Sequence, residues 1–368
     1  MENVLVNGYN SKTGGGYNIF SNYIFYLNNS FLNQKFYILI DKSIKFNFEI
    51  TNSQINFIYL NDSGIFSNFN LHLYYIQFPR LLKKYNIHKI LNFGDIIIPT
   101  KTKQIYYFDW AFLIYNDYEL WLKMNLIEFS TRFFKRFMIN MYIKNPKFII
   151  VQTKTIENRL KLKYKLHNLI QFYTPISNNF SNYYYKATNN LTKKKYKLFL
   201  PASYASHKNV EILIPLINEI YKQQKPYVFI ITCNKIFDIL QKKISSSILN
   251  QFVINHGKVN LNDLPLLYNE SNFLFFPTLL ESYGLPYMEA LFFQKPILTS
   301  DRDFAHEICK EAAVYFDPHN ISDILKKIEH IIIHENEYKN KSYLIYNNYV
   351  NNDWQNLFNI INNLLTNS

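Results

Sequence analysis

The first half of the chain alternates between short apolar stretches and segments whose apolar residues recur at helical spacing. Six stretches have the length and composition of strands, at residues 3–7, 35–41, 55–60, 88–93, 104–108 and 147–152. Residues 17–27 have the apolar spacing of a helix and follow a polar, glycine-rich loop at 8–16. Alternation of this kind predicts a parallel sheet with helices on both faces.

The second half repeats the same alternation after a polar interruption. Strands are predicted at 197–201, 227–232, 251–255, 273–276 and 296–299, and helices at 210–223, 235–246, 261–269 and 286–293. The end of the chain differs, because 321–334 and 351–365 are helical patterns with no strand between them. Together the two halves predict an α/β protein of two Rossmann-like, doubly wound lobes.

The boundary between the lobes is predicted in a polar, asparagine-rich segment that ends in a run of lysines, residues 176–196. The expected organisation is an N-terminal domain at 1–175, the linker at 176–196 and a C-terminal domain at 197–345. The last segment, 346–368, is predicted as a helix that crosses back to the first domain. A chain of 368 residues is long for one core and sufficient for two.

Composition narrows the class of protein. Two cysteines cannot form a disulfide framework and lack the spacing of a metal site, so we expect no metal and a reducing, cytoplasmic location. No secretory signal and no apolar stretch of about 20 residues is visible, which predicts a protein that is soluble or peripheral to a membrane. The net charge of +13 fits either attraction to a polyanion or an acidic membrane face, or drift in an AT-biased sequence, and it is compatible with phosphate-bearing ligands. Nucleic acid is not an expected partner, because no recognised binding motif accompanies the charge.

The strongest chemical signal is FPTLLESYGLPYMEAL, residues 276–291. A buried strand ends there at the carboxyl edge of the sheet, Gly284 permits a close backbone approach, and Pro286 suits the first turn of a helix. The free amides of that helix start form an anion site. Glu281 and Glu289 flank it, at most about 12 Å apart if helical, so each carboxylate can hold one polyol of a nucleotide sugar. The alternative is two solvated glutamates eight residues apart by chance.

This segment resembles the donor-site signature of retaining glycosyltransferase family 4, in which two glutamates are separated by seven residues that include Gly-Leu-Pro. Glu281, Gly284, Leu285, Glu289 and the AAVYFDP stretch that follows at 312–318 match that pattern. The resemblance implies the GT-B fold, with two lobes facing each other across a cleft. It also implies that Glu281 contacts the donor sugar, that the amides of Gly284 and Leu285 contact sugar or phosphate, and that Glu289 holds the ribose.

A second signal is PASYASHKNVEILI, residues 201–214, where a strand ends, a polar loop follows and a helix is predicted to begin near Asn209. A lysine beside a helix N-terminus is disfavoured unless an anion binds there, so Lys208 is either a phosphate ligand or an ordinary exposed lysine. In the family that it resembles, a lysine at this position contacts the donor phosphates. The family often has an arginine five or six residues earlier, where this chain has Ser203 and Ala202. Ser203 is kept as a candidate donor contact.

The first half offers weaker signals. Glycines 14–16 follow the first strand and either crowd amides around an oxyanion or form a plain flexible turn. The absence of GxGxxG argues against a dinucleotide cofactor. The resemblance implies that Gly15 and Gly16 face the donor diphosphate. Asp109 follows a strand in YYFDWAF, where many family members have a histidine; it is a tentative catalytic candidate, and its alternative role is to cap the next helix.

Residues 132–147, RFFKRFMINMYIKNPK, mix basic and aromatic side chains at helical spacing. They predict either contact with the inner face of a membrane that carries a lipid-linked acceptor or a helix that buries its aromatic stripe.

The expected function is metal-independent transfer of a hexose-type sugar from a nucleoside diphosphate to a hydroxyl of a glycan or lipid-linked acceptor, in surface polysaccharide or glycolipid synthesis. The resemblance implies retention of the anomeric configuration, with the nucleotide sugar as substrate and no cofactor. Two alternatives remain: a nucleotide-sugar hydrolase or epimerase of the same fold, and a non-catalytic protein that binds nucleotides or polysaccharide.

Overall fold

The computed structural model describes residues 2–60, 71–94, 96–181 and 195–366. Residues 182–194, most of the predicted linker, lie outside that part of the chain. The chain folds into two compact units, unit 1 at Met1–Ser177 with Asn352–Ser368, and unit 2 at Asn178–Asn351.

The described part of unit 1 contains a seven-stranded parallel sheet in the order β3-β2-β1-β4-β5-β6-β7. Its strands are β1 Asn3–Asn7, β2 Lys35–Asp41, β3 Ile55–Leu60, β4 Lys89–Asn92, β5 Lys103–Phe108, β6 Phe148–Val151 and β7 Leu169–Gln171. Its helices are α1 Gly14–Asn28, α2 Phe78–Lys84, α3 Tyr118–Leu122, α4 Leu126–Tyr142 and α5 Lys154–Tyr164. A π-helical turn at Leu73–Gln77 runs into α2, and a 3₁₀ turn at Ala111–Leu113 precedes α3.

Alternate residues of the central strands of this sheet enter two cores. Val4 and Val6 lie in one apolar cluster with α1, whereas Leu5 lies in the other with α2. Both faces are therefore buried, which is why these strands read as continuous apolar stretches rather than as an alternating pattern.

The described part of unit 2 contains a six-stranded parallel sheet in the order β10-β9-β8-β11-β12-β13, the doubly wound Rossmann arrangement. Its strands are β8 Tyr196–Leu200, β9 Tyr227–Ile231, β10 Val253–Asn255, β11 Phe273–Phe276, β12 Ile297–Ser300 and β13 Ala313–Phe316. Its helices are α6 Asn178–Ser181, α7 Leu213–Lys222, α8 Asn234–Gln241, α9 Ser246–Phe252, α10 Leu264–Glu270, α11 Leu285–Phe292, α12 Asp303–Cys309, α13 Ile321–Ile333 and α14 Glu335–Asn347. Short 3₁₀ turns lie at Ser206–Lys208, Val210–Ile212 and Lys310–Ala312.

The last helix, α15 at Trp354–Thr366, packs in unit 1 although the chain reaches it from unit 2. Trp354, Phe358 and Ile361 lie in the same core cluster as Ile19 and Tyr23 of α1.

Several predicted boundaries are wrong. The helix predicted at 235–246 ends at Gln241, and a separate helix, α9, begins at Ser246 and includes residues 251 and 252, which were predicted as strand. The prediction missed β7, β13 and α14. The helix predicted from Asn209 begins as an α-helix only at Leu213, because Asn209 takes a left-handed conformation (φ +51°) between two 3₁₀ turns and interrupts any continuous helix.

Candidate functional site

The candidate site of unit 2 lies at the carboxyl ends of two adjacent strands, β8 and β11. These strands flank the point at which the strand order reverses, where open α/β sheets bind their ligands. The loop after β8 carries Ser203 and Lys208, and the loop after β11 carries Glu281 and Gly284. The topology therefore brings together two segments that were selected separately from the sequence.

Lys208 and Glu281 form an ion pair at this edge. Nζ of Lys208 lies 2.5 Å from Oε1 of Glu281, and their side chains are 17% and 12% exposed. The same ammonium lies 5.0 Å from the ring centroid of Phe276, the last residue of β11. A charge-assisted hydrogen bond of this kind, partly shielded from water, fixes both side chains more firmly than a surface pair would.

Thr278 donates a second hydrogen bond to the carboxylate of Glu281. Its hydroxyl, in a fully buried residue, donates to Oε1 of Glu281 at 2.8 Å. The main-chain oxygen of His207 accepts a 2.7 Å hydrogen bond from the amide of Leu279, which ties the two loops together. The carboxylate is thus held by one donor from each loop. Thr278 was not among the sequence candidates; its signal was a hydroxyl three residues before the glutamate, at the end of a buried strand.

Gly284 begins the helix that the motif predicted. It occupies the N-cap position of α11 with φ +84°, and Pro286 lies in the first turn. A Cβ at this position would lie 2.6 Å from Cδ2 of Tyr287, whose ring packs edge-on against Phe276 and whose hydroxyl contacts Oγ1 of Thr299 at 2.7 Å. Both the backbone conformation and the fixed tyrosine therefore require glycine here.

Glu289 lies one turn into α11 but faces the interior. The residue is 5% exposed, and its Oε2 accepts a 2.7 Å hydrogen bond from the hydroxyl of Tyr268 on α10. Burial raises the pKa of Glu289 to about 7, and the hydrogen bond from Tyr268 opposes that rise. The expected ribose contact of Glu289 stays a prediction. Tyr268, which was also absent from the sequence candidates, holds the carboxylate in place.

The remaining candidates of unit 2 flank the ion pair. Ser203 is exposed on the loop after β8, three residues past the end of the strand. Lys208 ends a 3₁₀ turn rather than standing before an α-helix, which corrects the argument from a helix N-terminus. Asn209 is buried in a left-handed conformation and donates through Nδ2 to the main-chain oxygen of Pro318 at 3.2 Å, which fixes the loop.

The first-unit candidates lie at the carboxyl edge of their own sheet. Gly15 and Gly16 belong to the first turn of α1 rather than to a loop, so their amides are helix N-terminal amides. Gly16 lies beside Asp109: a Cβ on Gly16 would be 3.7 Å from Oδ2 of Asp109. Trp110 occupies the N-cap position of the following 3₁₀ turn without a side-chain cap hydrogen bond, and the alternative role of Asp109 as a helix cap stays a prediction. Gly16 and Asp109, selected separately in the sequence, are thus neighbours.

Two further findings concern the described residues only. Among them, no group of three or more His, Cys, Asp or Glu side chains is placed to hold a metal ion. None of their helices combines the length and the apolar character needed to cross a bilayer.

Residues 183–349 match the family model for glycosyl transferases group 1. A curated relative, the O-antigen chain mannosyltransferase RfbU of Salmonella typhimurium, is 25% identical over 199 residues, which are 52% of this chain and 52% of that protein. The alignment therefore spans about half the length of this relative.

Solved glycosyltransferase structures match essentially the whole chain. HepE of Anabaena, solved with UDP and glucose, has a TM-score of 0.74 at 12% identity and covers 100% of both chains. WaaG, a glycosyltransferase involved in lipopolysaccharide biosynthesis, has a TM-score of 0.73 at 12% identity and covers 98% of this chain and 99% of its own. Sucrose-phosphate synthase of Thermosynechococcus elongatus has a TM-score of 0.72 at 12% identity, with 100% and 99% coverage. The chain therefore has the GT-B fold of two Rossmann-like domains, and the match to the group 1 glycosyltransferase family model falls on its second unit.

Proposed function

We propose that this protein transfers a hexose from a nucleoside diphosphate to a hydroxyl acceptor, with retention of configuration, in the synthesis of a surface polysaccharide or glycolipid. The observation that carries the proposal is the Lys208–Glu281 pair at the strand-order reversal, next to the amino end of α11. The match to the group 1 family model and the names of the similar proteins support the reaction class. Retention and the hexose rest on the resemblance of the 281–289 motif and on the relative's name.

In this proposal Lys208 and the free amides at Leu285 and the residues after it bind the diphosphate. They stabilise the negative charge that develops on it as the bond to the sugar breaks, which is electrostatic catalysis by preorganised groups. Glu281 holds the sugar, and Glu289 holds the ribose. Gly15, Gly16 and Ser203 are proposed as further donor contacts, and Asp109 as an acceptor-side group. The reaction then needs no metal ion.

In this proposal the ion pair also lets the carboxyl edge of the unit 2 sheet bind both an anion and a polyol. Glu281 neutralises Lys208 and orients its ammonium, while the hydroxyl of Thr278 donates to the same carboxylate oxygen. An incoming diphosphate offers Lys208 a second negative partner, so Glu281 is released in part to accept hydrogen bonds from sugar hydroxyls. Removing either side chain leaves the other charged and partly buried, which is costly.

A panel of nucleoside diphosphate sugars tests the proposal with wild-type protein and Lys208→Met. A donor raises the melting temperature of the wild type by mass action. Lys208→Met should lose most of that shift and lower kcat/KM at least about 100-fold, the size typical of one lost electrostatic contact. The matched control is Lys197→Met, because Lys197 forms a 2.5 Å pair with Glu270 at the start of the same strand, β8, and should leave transfer unchanged.

The outcomes separate the alternatives. Rapid turnover of the donor without any acceptor would identify a hydrolase or epimerase. Donor binding with no turnover in the presence of glycan and lipid-linked acceptors would identify a binding protein. No stabilisation by any nucleoside diphosphate sugar, or equal kinetics in Lys208→Met and wild type, would refute the donor site. We place the reaction on the cytoplasmic side, where a lipid-linked acceptor would bring the protein to a membrane.

A further inference from the structure

Helix α4 presents an apolar face to solvent. The exposed side chains recur at the three- and four-residue spacing of one helix face, and their positions cover the whole length of the helix. They are Leu126 (85% exposed), Phe129 (42%), Phe133 (58%), Phe137 (52%) and Met141 (49%). We call these five residues the outer face of α4. Along 17 residues this face is about 25 Å long.

The basic side chains of the same helix contact aromatic rings in the body of unit 1. The guanidinium of Arg132 lies 3.9 Å from the ring centroid of Phe112, and Nζ of Lys135 lies 4.5 Å from that of Trp110. Both of these aromatic residues are buried. Arg136 hydrogen-bonds Asn116 and lies 5.6 Å from the ring of Trp121.

Helix α4 also buries an apolar face, as an ordinary surface helix does: Met138 and Ile139 are buried, and Phe134 and Tyr142 pack against the core cluster that contains Met138. The outer face is a second apolar face of the same helix. Cation–π contacts hold the basic side chains on the body of unit 1. The aromatic side chains of α4 within 132–147 are therefore divided: Phe134 and Tyr142 pack against the core, whereas Phe133 and Phe137 are exposed.

The apolar surface continues beyond α4. The ring of Trp121 packs edge-on against Phe129 at 5.7 Å, and Leu122 at the end of α3 is 84% exposed. At the other end, the hydroxyls of Tyr75 and Tyr142 are 2.8 Å apart, and Tyr75 is 44% exposed. An exposed apolar surface of this length marks an interaction site.

The positive charge around the outer face of α4 favours an anionic partner. Residues 118–147 contain six basic and two acidic side chains. Three lysines that are exposed lie at the two ends, Lys123 before α4 and Lys144 and Lys147 after it. Lys123 forms a 2.7 Å surface ion pair with Glu119, a weak contact that leaves its ammonium accessible to a second anion. A second copy packed on the same face would set lysines against lysines in either orientation of the two helices. An anionic bilayer accepts both features, since phenylalanine and leucine enter the headgroup boundary and lysines contact lipid phosphates.

We propose that the outer face of α4 docks this protein onto an anionic lipid surface, with α4 lying in the plane of the interface. Phe133 and Phe137 at the centre of the face are inserted, and Lys123, Lys144 and Lys147 bind lipid phosphates at its ends. The proposal does not depend on the sugar-transfer reaction, because it uses only the exposed side chains of unit 1.

The test is cosedimentation of the full chain with vesicles of phosphatidylcholine alone or mixed with 30% phosphatidylglycerol, where that fraction is chosen as roughly that of an anionic membrane face. We expect the wild type to bind the mixed vesicles at least about tenfold more tightly, and added salt to weaken that binding. Phe133→Ser with Phe137→Ser should lower the partition coefficient about tenfold or more. Lys144→Glu with Lys147→Glu should remove the preference for the anionic lipid.

The matched control replaces two apolar residues elsewhere that are more exposed still, Leu162→Ser with Ile333→Ser, at 83% and 76%, and this variant should bind vesicles like the wild type. Melting temperatures of all variants check the fold. Equal binding of the Phe133/Phe137 variant and the wild type, or no preference of the wild type for anionic vesicles, would overturn the proposal. So would a wild-type dimer in lipid-free solution that the same two substitutions convert to a monomer, because the face would then be an interface between two copies.

Discussion

The indole Nε1 of Trp354 donates a 2.6 Å hydrogen bond to the main-chain oxygen of Ile176, across 178 residues of sequence. Trp354 is the first residue of α15, and Ile176 stands at the end of the first segment of unit 1. The chain thus leaves unit 1 and returns to it at neighbouring points. The C-terminal helix is therefore an integral part of the unit 1 core rather than an appended tail.

Trp354→Ala should destabilise unit 1 by about 3–5 kcal/mol, because it opens a cavity in the core and leaves the oxygen of Ile176 without this donor. Trp354→Phe keeps most of the buried area and should cost about 1–2 kcal/mol. Urea unfolding measures both, with the exposed neighbour Gln355→Ala as control. A urea unfolding curve for Trp354→Ala equal to that of Gln355→Ala would contradict the structural role of the helix.

Much of the fold was readable from the sequence because parallel strands buried on both faces are continuous apolar stretches. The predicted strand 273–276 coincides with β11, whose four residues are fully buried. Strand β13 escaped prediction because it is four residues long and includes a half-buried Tyr315. Helix α14 escaped because its surface is mainly polar and only two of its residues, Ser342 and Ile345, are buried.

The candidate site was readable only in part. Gly284 and Pro286 locate a helix start from local chemistry alone, and α11 does begin at Leu285. The adjacency of β8 and β11 is a long-range pairing, so the contact of Lys208 with Glu281, 73 residues apart, could not be derived from spacing. The same holds for Tyr268, which reaches Glu289 from another helix.

The buried Glu289 predicts a specific pH dependence of stability. Its pKa is about 7 in the folded protein and near 4.5 when exposed, so between these values the folded state binds more protons than the unfolded state. The contribution of this group to the free energy of unfolding is complete below about pH 4.5 and is lost as the pH rises to about 7. At 1.36 kcal/mol per unit the loss is of the order of 3 kcal/mol.

Glu289→Gln should abolish that dependence. Urea titration from pH 4.5 to 8 gives the free energy of unfolding of both proteins. As the pH rises, that of the wild type should fall relative to that of Glu289→Gln. Tyr268→Phe removes the hydrogen bond that favours the charged carboxylate and should move the transition to higher pH. The exposed Glu311→Gln is the control. A wild-type minus Glu289→Gln difference that is flat with pH would contradict the buried carboxylate.

Gly284→Ala should destabilise unit 2 by about 2–4 kcal/mol. An alanine at φ +84° is strained by roughly 1–2 kcal/mol, and its Cβ would also force the ring of Tyr287 to move. Gly257→Ala is the matched control, since Gly257 has φ +65° but a Cβ there meets only the flexible side chain of Asn234 at 3.0 Å. Thermal unfolding should show a larger loss for Gly284→Ala. Equal losses would mean that Tyr287 is free to move aside.

Gly16→Ala separates a binding role from a structural one. Gly16 does not have a strained positive φ, and a Cβ there would lie 3.7 Å from Oδ2 of Asp109, an ordinary contact. The stability should therefore stay the same or rise by up to about 1 kcal/mol. A methyl group at the start of α1 should nevertheless obstruct a diphosphate and weaken donor binding about tenfold or more, as measured by calorimetry. Gly14→Ala should give the opposite result, a loss of stability with donor binding retained. The reason is that φ +65° strains the alanine, while its Cβ meets nothing within 4 Å. A Gly16→Ala protein that is as stable as the wild type and binds the donor with the same affinity would exclude Gly16 from the donor site.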